Sequence, residues 1–441
     1  MLKNTSVNVN RTARPAAFPV LAGTLGAVIA SLVALATPAA AADVAIPPAS
    51  SVTVSSGWTL VFDSEARYTS WSGPRGFPNN FALGTPARGS QFYVPLAFAA
   101  TGLVGSDVKL ELLARTGYVD ARQNAGGGLV GHVSTMTDTV VSATATWLGT
   151  PGFQPFLALN ANLPTGRANL AGTQAFARSD PDLVEVPTFG EGFNLGATLG
   201  GNIPIGQNSL ATVSVSHTHR GAFTRDPTDI FGGLDTRIEP GASTSGTAQL
   251  AHIMGALLLR AAVTYTYTSA TRIDGGLAVI QGDAFALTGT AAYTWNPEHV
   301  TTFTTAFNHT RSNANFILAV NQFQREAFNS NSNALRLRLD HAWRITPQWT
   351  LGMFGSWFHR DSNAYVPTAF QFIPAKTKLA LGGSARYQVA PNSAITVRAE
   401  HFWVNQASRP DIDFGGIIPG TSIPALSFTG WTLSLGGNIT F

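Results

Sequence analysis

The stretch WTLSLGGNITF, residues 431–441, decides how this chain is read. Trp431, Leu433, Leu435, Gly437, Ile439 and Phe441 take one parity, and Thr432, Ser434, Gly436, Asn438 and Thr440 take the other. Successive side chains of a strand point to opposite faces, so this segment has one apolar and one polar face. A helix would repeat at 3.6 residues instead. The same period runs back along the chain. Leu335, Leu337, Leu339, His341, Trp343 and Ile345 alternate with Arg336, Arg338, Asp340, Ala342 and Arg344. Trp349, Leu351, Met353 and Trp357 form another apolar set. Leu379, Leu381, Ala385, Tyr387 and Val389 alternate with Lys378, Ala380, Ser384, Arg386 and Gln388; Ile395, Val397 and Ala399 alternate with Thr396, Arg398 and Glu400.

Short turns separate these segments in pairs. They fall at Gly105-Ser106-Asp107, Thr150-Pro151-Gly152, Gly206-Gln207-Asn208, Met254-Gly255-Ala256, Asn296-Pro297-Glu298, Thr346-Pro347-Gln348 and Ala390-Pro391-Asn392. Longer polar segments lie between them, for example 72–89, 164–191, 220–244, 311–331 and 405–425. Seven short turns alternating with eight long loops make sixteen antiparallel strands, with 14 or 18 as the neighbouring counts if the turn at Gly255 is read differently. Short turns on one side, long loops on the other and an even count are the pattern of bacterial transmembrane barrels. The expected fold class is therefore all-β, a transmembrane antiparallel β-barrel.

Two further readings fit that class. After Ala42 no apolar run reaches the length of about 20 residues that a spanning helix needs. A chain that crosses lipid without such a helix must do so as closed β-structure, because only then is every backbone polar group satisfied. Aromatic residues also gather near the expected strand ends: Trp58, Trp71, Trp147, Tyr265, Tyr267, Tyr293, Trp295, Trp343, Trp349, Trp357 and Trp403. Rings at both interfaces would form the two girdles of a barrel.

Residues 1–42 read as an export signal. Lys3, Arg11 and Arg14 precede an apolar stretch from Phe18 to Ala36, and Pro38 precedes Ala40-Ala41-Ala42, a small-residue cleavage pattern. Residues 43–52 form a short periplasmic lead-in, and 53–441 form the barrel. Removing the signal leaves 24 bases against 24 acids, so the basic balance of the whole chain gives no reason to invoke nucleic acid. The chain has no Cys, which fits an oxidising compartment.

The polar parity carries the charges. Asp63, Glu65 and Arg67 belong to the first strand, Lys109, Glu111 and Arg115 to the third, and Arg260 to the ninth. Arg336, Arg338, Asp340, Arg344, Lys376, Lys378, Arg386, Arg398 and Glu400 belong to strands 12, 14 and 15. A base at the midplane of a barrel's lipid face costs about 2–4 kcal/mol, so these residues are expected to line a lumen. Sixteen strands leave room for a water channel, and Arg- and Lys-rich pore walls favour anions. The alternative is that the bases pair with Asp340 and Glu400 and stiffen the wall.

Three resemblances add to this reading. A strand ending in Phe441 resembles the assembly signal of outer-membrane barrels, which implies a location in the bacterial outer membrane. Pro187-Thr188-Phe189-Gly190-Glu191-Gly192 resembles the Pro-Glu-Phe-Gly-Gly-Asp stretch of general porins, although Thr188 replaces the acid and the segment abuts the sixth strand. In that family the third loop folds into the channel and sets acids against a basic wall. The resemblance implies a constriction loop at 164–191 carrying Asp180, Asp182, Glu185 and Glu191, and a homotrimer. Asn160-Ala161-Asn162-Leu163-Pro164-Thr165-Gly166, followed by Phe193-Asn194-Leu195-Gly196, is similar to the phenol meta-pathway barrels. That likeness covers about 40 residues and implies passage of aromatic compounds.

Barrel enzymes place His with Ser, Asp or Glu near the outer rim. His217 and His219 fall there, with His309, His359 and His401 at similar heights on other strands, but no acid completes a triad. His217 and His219 share a parity without a third metal ligand. The expected function is thus a non-enzymatic channel for small polar or anionic solutes, with no cofactor, metal or nucleic acid, in contact with outer-membrane lipid. An uptake barrel for hydrophobic compounds and a rim hydrolase are the alternatives.

Overall fold

The computed structural model describes residues 57–73, 86–124, 130–150, 152–170, 172–225, 236–369, 371–409 and 425–441. The expected export segment 1–42 and lead-in 43–52 lie outside the described residues. So does most of each polar segment at 72–89 and 405–425, and the middle of 220–244.

Sixteen strands build the wall. They are β1 (Thr59–Gly73), β2 (Ala87–Val104), β3 (Val108–Asn124), β4 (Val130–Met136, continued by Thr139–Trp147), β5 (Gln154–Leu163), β6 (Asn194–Ile205), β7 (Ser209–Arg220) and β8 (Ser243–Met254). They continue as β9 (Leu257–Thr268), β10 (Ala284–Asn296), β11 (His299–Thr310), β12 (Ala334–Arg344), β13 (Trp349–Arg360), β14 (Lys376–Ala390), β15 (Ser393–Gln406) and β16 (Leu426–Thr440). Each pairs antiparallel with the next, and β1 pairs with β16 from Val61↔Thr440 to Ser72↔Thr429. The circuit is closed, so the wall has no unpaired edge. Gly105, Gly206 and Gly255 open three of the short turns with φ of 68°, 62° and 59°, a region that only glycine enters without cost.

The long-loop side differs from the sequence reading. Three of the expected loops carry short strands instead: 223–225 with 236–239, 270–273 with 276–280, and 314–317 with 322–325. They form a separate six-stranded sheet at the long-loop ends of these hairpins. The middle hairpin turns on Asp274-Gly275, with φ of 50° and 81°, a pair suited to a two-residue hairpin turn.

One irregularity matters for the interior. Arg115 faces Val140 and Tyr118 faces Met136, so two residues of β3 oppose three of β4. The extra residue is a bulge at Thr137-Asp138. It switches the inward parity of β4 from Val133 and Thr135 to Val140 and Ser142, and takes Asp138 out of the ladder.

The outer face is apolar. Leu199, Val215, Leu339, Leu381, Val397, Leu433 and Leu435 are each more than half exposed. A continuous belt of such residues belongs in lipid. The girdle reading needs one correction. Trp71 is 3% exposed and packs inside the barrel with Phe402 and Phe428, because it shares the parity of Glu65 and Arg67. Trp58, Trp147, Tyr265, Tyr267, Tyr293, Trp295, Trp343, Trp349 and Trp403 are exposed.

Candidate functional site in the lumen

Segment 164–193 joins β5 to β6, and its root is tied by Asp138. One carboxylate oxygen accepts the Gly166 N–H (2.9 Å), and the other accepts Asn162 Nδ2 and the Glu191 N–H (both 2.8 Å). The bulge therefore supplies the residue that clamps both ends of the segment. Gly166 has no room for a side chain: a Cβ there would collide with the Phe189 carbonyl oxygen, and Arg167 N–H donates to that same oxygen at 3.0 Å. Asn162 and Gly166 belong to the Asn160–Gly166 motif, whose residues thus hold the loop root.

From its root the segment turns inward along the wall. A short 3-10 turn, Gly172–Ala177, packs on β3 and β4, where Gly131 lets its backbone approach. Leu170, Ala177, Val186 and Phe189 then bury Val119, Ala121 and Val133. Further along, Leu183 and Val184 join Trp71, Ala380, Phe402, Val404, Leu426 and Phe428. These two apolar clusters are the cores of the molecule, and both lie inside the barrel. Each fully buried Leu, Val or Phe side chain contributes about 1.5–3 kcal/mol, so the segment is part of the folded wall. Gln91 fixes it from β2 with two bonds to the Val186 backbone, Nε2 donating to the carbonyl (2.7 Å) and Oε1 accepting from the N–H (3.2 Å).

The acids of the segment meet bases. Asp180 and Asp182 both pair with Lys376 of β14, with Asp182 at 2.9 Å, and Asp182 also lies 3.4 Å from Arg360 of β13. Glu185 pairs with Arg67 of β1. Lys376 is 3% exposed and Asp182 8%. Burial by itself raises the Asp180 carboxyl. The charge and hydrogen bond of Lys376, the Asp182 N–H and Arg360 outweigh it and hold the group below its usual value. Glu191 stands apart at the root, half exposed and 4.0 Å from Arg220 of β7.

The wall charges fall into local pairs. Arg338 is bidentate to Asp340 (2.7 Å twice), Arg398 bonds Glu400 (3.1 Å), and Lys109 lies 2.9 Å from Glu111. Phe354 lies between two of these groups, with Arg338 4.4 Å and Arg398 4.1 Å from its ring centre. Gly382 makes room for that ring, since a Cβ there would meet Phe354 Cζ. Arg336 stands over Phe358 at 5.1 Å and Lys378 over Phe402 at 4.6 Å. Arg115, Arg260 and Arg386 share the inward parity but take part in no ion pair among the described residues. Arg344 sits at the short-turn mouth, where its N–H bonds the Glu298 carbonyl (2.8 Å).

The opposite wall is different in kind. From β6 to β11 the inward positions are mostly Thr, Ser, Gly, Ala and Asn, with cross-strand hydroxyl pairs at Ser245–Thr266 (2.9 Å) and Thr247–Thr264 (3.0 Å). Thr288, Asn308 and Arg336 face inward on β10 to β12 and are nonetheless solvent-exposed. Val119, Ala121, Ala380 and Phe402, inward on the other side, are no more than 1% exposed. The histidines all face outward. His217 bonds Thr244 (2.9 Å), His309 bonds Asn333 (2.7 Å) and His359 bonds Thr377 (2.9 Å). A Ser209–His252 bond of 2.8 Å lies on the outer surface at the short-turn end.

Sequence reasoning missed Asp138, Gln91 and Arg360. Asp138 had a signal, the break in alternation at Thr137-Asp138. Gln91 and Arg360 had none, because nothing in their own strands shows which loop reaches them.

No protein-family model matches the chain, and no curated protein matches it. Among solved structures the chain is similar to an outer-membrane channel from Pseudomonas putida F1, with 13% identity over 57% of this chain and 88% of that one, TM-score 0.37. It is also similar to a Pseudomonas aeruginosa FadL homologue, with 10% identity over 87% and 90%, TM-score 0.42. A porin gives 10% identity over 87% and 100%, TM-score 0.37. These superpositions are partial, and the class is carried by the wall itself. Sixteen closed antiparallel strands, apolar outside and with the charged residues of β12, β14 and β15 turned inside, with short turns on one side and long loops on the other, define a porin-like β-barrel of the bacterial outer membrane.

Proposed function

We propose that the chain is a passive channel for small polar or anionic solutes. One observation carries the reading: Thr288, Asn308 and Arg336 face the lumen yet are open to solvent, while the opposite inner wall is sealed beneath segment 164–193. The path then runs between that segment and the hydroxyl-bearing wall of β9 to β11, with Arg336 of β12 beside it. Asp180, Asp182 and Glu185 tie the segment to the wall as a constriction loop. The inward bases Arg115, Arg260, Arg336, Lys378 and Arg386 bias the lumen towards anions.

An uptake barrel for hydrophobic compounds needs an apolar inner pocket. Both apolar patches of the inner wall are filled by the chain's own Leu183, Val184, Leu170 and Phe189, which favours the aqueous reading. The test is conductance of the refolded protein in planar lipid bilayers under a salt gradient. Stepwise openings with an anion-selective reversal potential are expected. A barrel that inserts and folds but passes no current would overturn the proposal.

A further inference from the structure

Six neighbouring strands bring one row of outward side chains to the long-loop rim. By register the row reads His401, Trp431, Ser70, Ser90, Arg122 and His132, across β15, β16, β1, β2, β3 and β4. Directly opposite residues of paired strands stand about 5 Å apart, so the row is continuous. One step towards the short turns it becomes apolar on β16, β1 and β2, with Leu433, Tyr68 and Phe92, and carries Asp120 and Ser134 on β3 and β4. One step towards the loops it is polar, with Thr429, Ser72 and Arg88. The row marks the height at which hydrocarbon gives way to headgroups.

The two serines are small, and beside them the wall is hollow. Trp431, Ser70, Ser90, Arg88, Arg122 and His401 line a groove of about 660 Å³. Among the described residues, none that lines the groove is acidic. The neighbouring carboxylate, Asp120, accepts from Arg122 Nε (3.1 Å) and pairs with His132 (2.8 Å), and the Arg122 side chain remains 65% exposed. A guanidinium has five donors in a fork that matches phosphate oxygens, so Arg122 keeps donors for a second partner. Two guanidiniums and an imidazole around a hollow at headgroup height are complementary to one chemical group. We propose that this groove binds the phosphate-bearing headgroup of an outer-leaflet lipid. This inference stands apart from the channel reading, since the groove lies on the other face of the wall.

The full chain, folded in neutral detergent, is incubated with diphosphoryl lipid A, with the same lipid stripped of phosphate, or with inorganic phosphate. Bound ligand is read by native mass spectrometry. Retention of the phosphorylated lipid alone is expected. The double variant Arg88→Ser, Arg122→Ser should retain it about tenfold less, the loss expected for charge-assisted contacts. Arg272→Ser, in the separate outer sheet, should retain it fully, and a heat-dependent mobility shift verifies that each variant is folded. Equal retention of the stripped lipid, binding of inorganic phosphate alone, or an unaffected double variant would each overturn the proposal. So would a multimer that forms without lipid and is lost in the double variant, because the groove would then hold a second copy.

Discussion

Lys376 Nζ lies 2.9 Å from the Asp182 carboxylate, and both side chains are almost closed to solvent. The pair joins the middle of segment 164–193 to β14, while Asp138 ties its root to β4 and β5. Removing one partner of a buried pair leaves an uncompensated charge and costs about 3–5 kcal/mol. Lys376→Met is therefore expected to unseat the segment and raise single-channel conductance. An unchanged conductance in a folded variant would show that the apolar clusters alone seat it.

The same pair sets a pH dependence. The folded Asp180 carboxyl lies below its ordinary value of 3.8, so its contribution is present above that value and lost as pH falls through the folded one. Lys376, Arg360 and Asp182 face it. Conductance is expected to stay level from neutral pH down to the ordinary carboxylate range and to rise only below it. A rise already near neutrality would point to another group.

At the loop root, Gly166→Ala places a Cβ against the Phe189 carbonyl and pushes the Asp138 clamp apart. Asp138→Ala removes the acceptor of three hydrogen bonds, worth about 1.5–3 kcal/mol each when one partner is charged. Both variants should lower the temperature at which the folded band is lost on gels. Gly172→Ala, where nothing lies within 4 Å, is expected to have the smaller effect despite its positive φ.

Two adjacent glycines test the Arg338–Phe354–Arg398 arrangement. Gly382→Ala drives a methyl into the Phe354 ring, whereas Gly383→Ala meets only the Gly352 carbonyl, at 3.4 Å. Overpacking of this kind costs about 1–3 kcal/mol. The first variant should lose thermal stability and the second should match the parent. Equal behaviour would mean that Phe354 can move aside.

For ion preference, Arg336→Ser removes an exposed lumen charge. Arg398→Ser leaves Glu400 unpaired. Arg336→Ser should shift the reversal potential towards neutrality, and Arg398→Ser should shift it further towards cations. Reversal potentials that do not move in either variant would remove these residues from the ion path.

The sequence by itself determined the barrel. Strand period, turn positions and the even count were all written in local patterns such as 431–441 and Asn296-Pro297-Glu298, because side-chain alternation and turn chemistry are properties of neighbouring residues. The inward placement of Trp71 was equally legible from its parity with Arg67. Tertiary structure alone decided which wall stays open. Lys376, Arg360, Gln91 and Arg67 look alike in the sequence as polar residues of strands, and each gains its role only from the loop residue that reaches it. Barrel closure brings the loop between β5 and β6 against β1, β13 and β14, and no pattern within a strand encodes a contact made across the lumen.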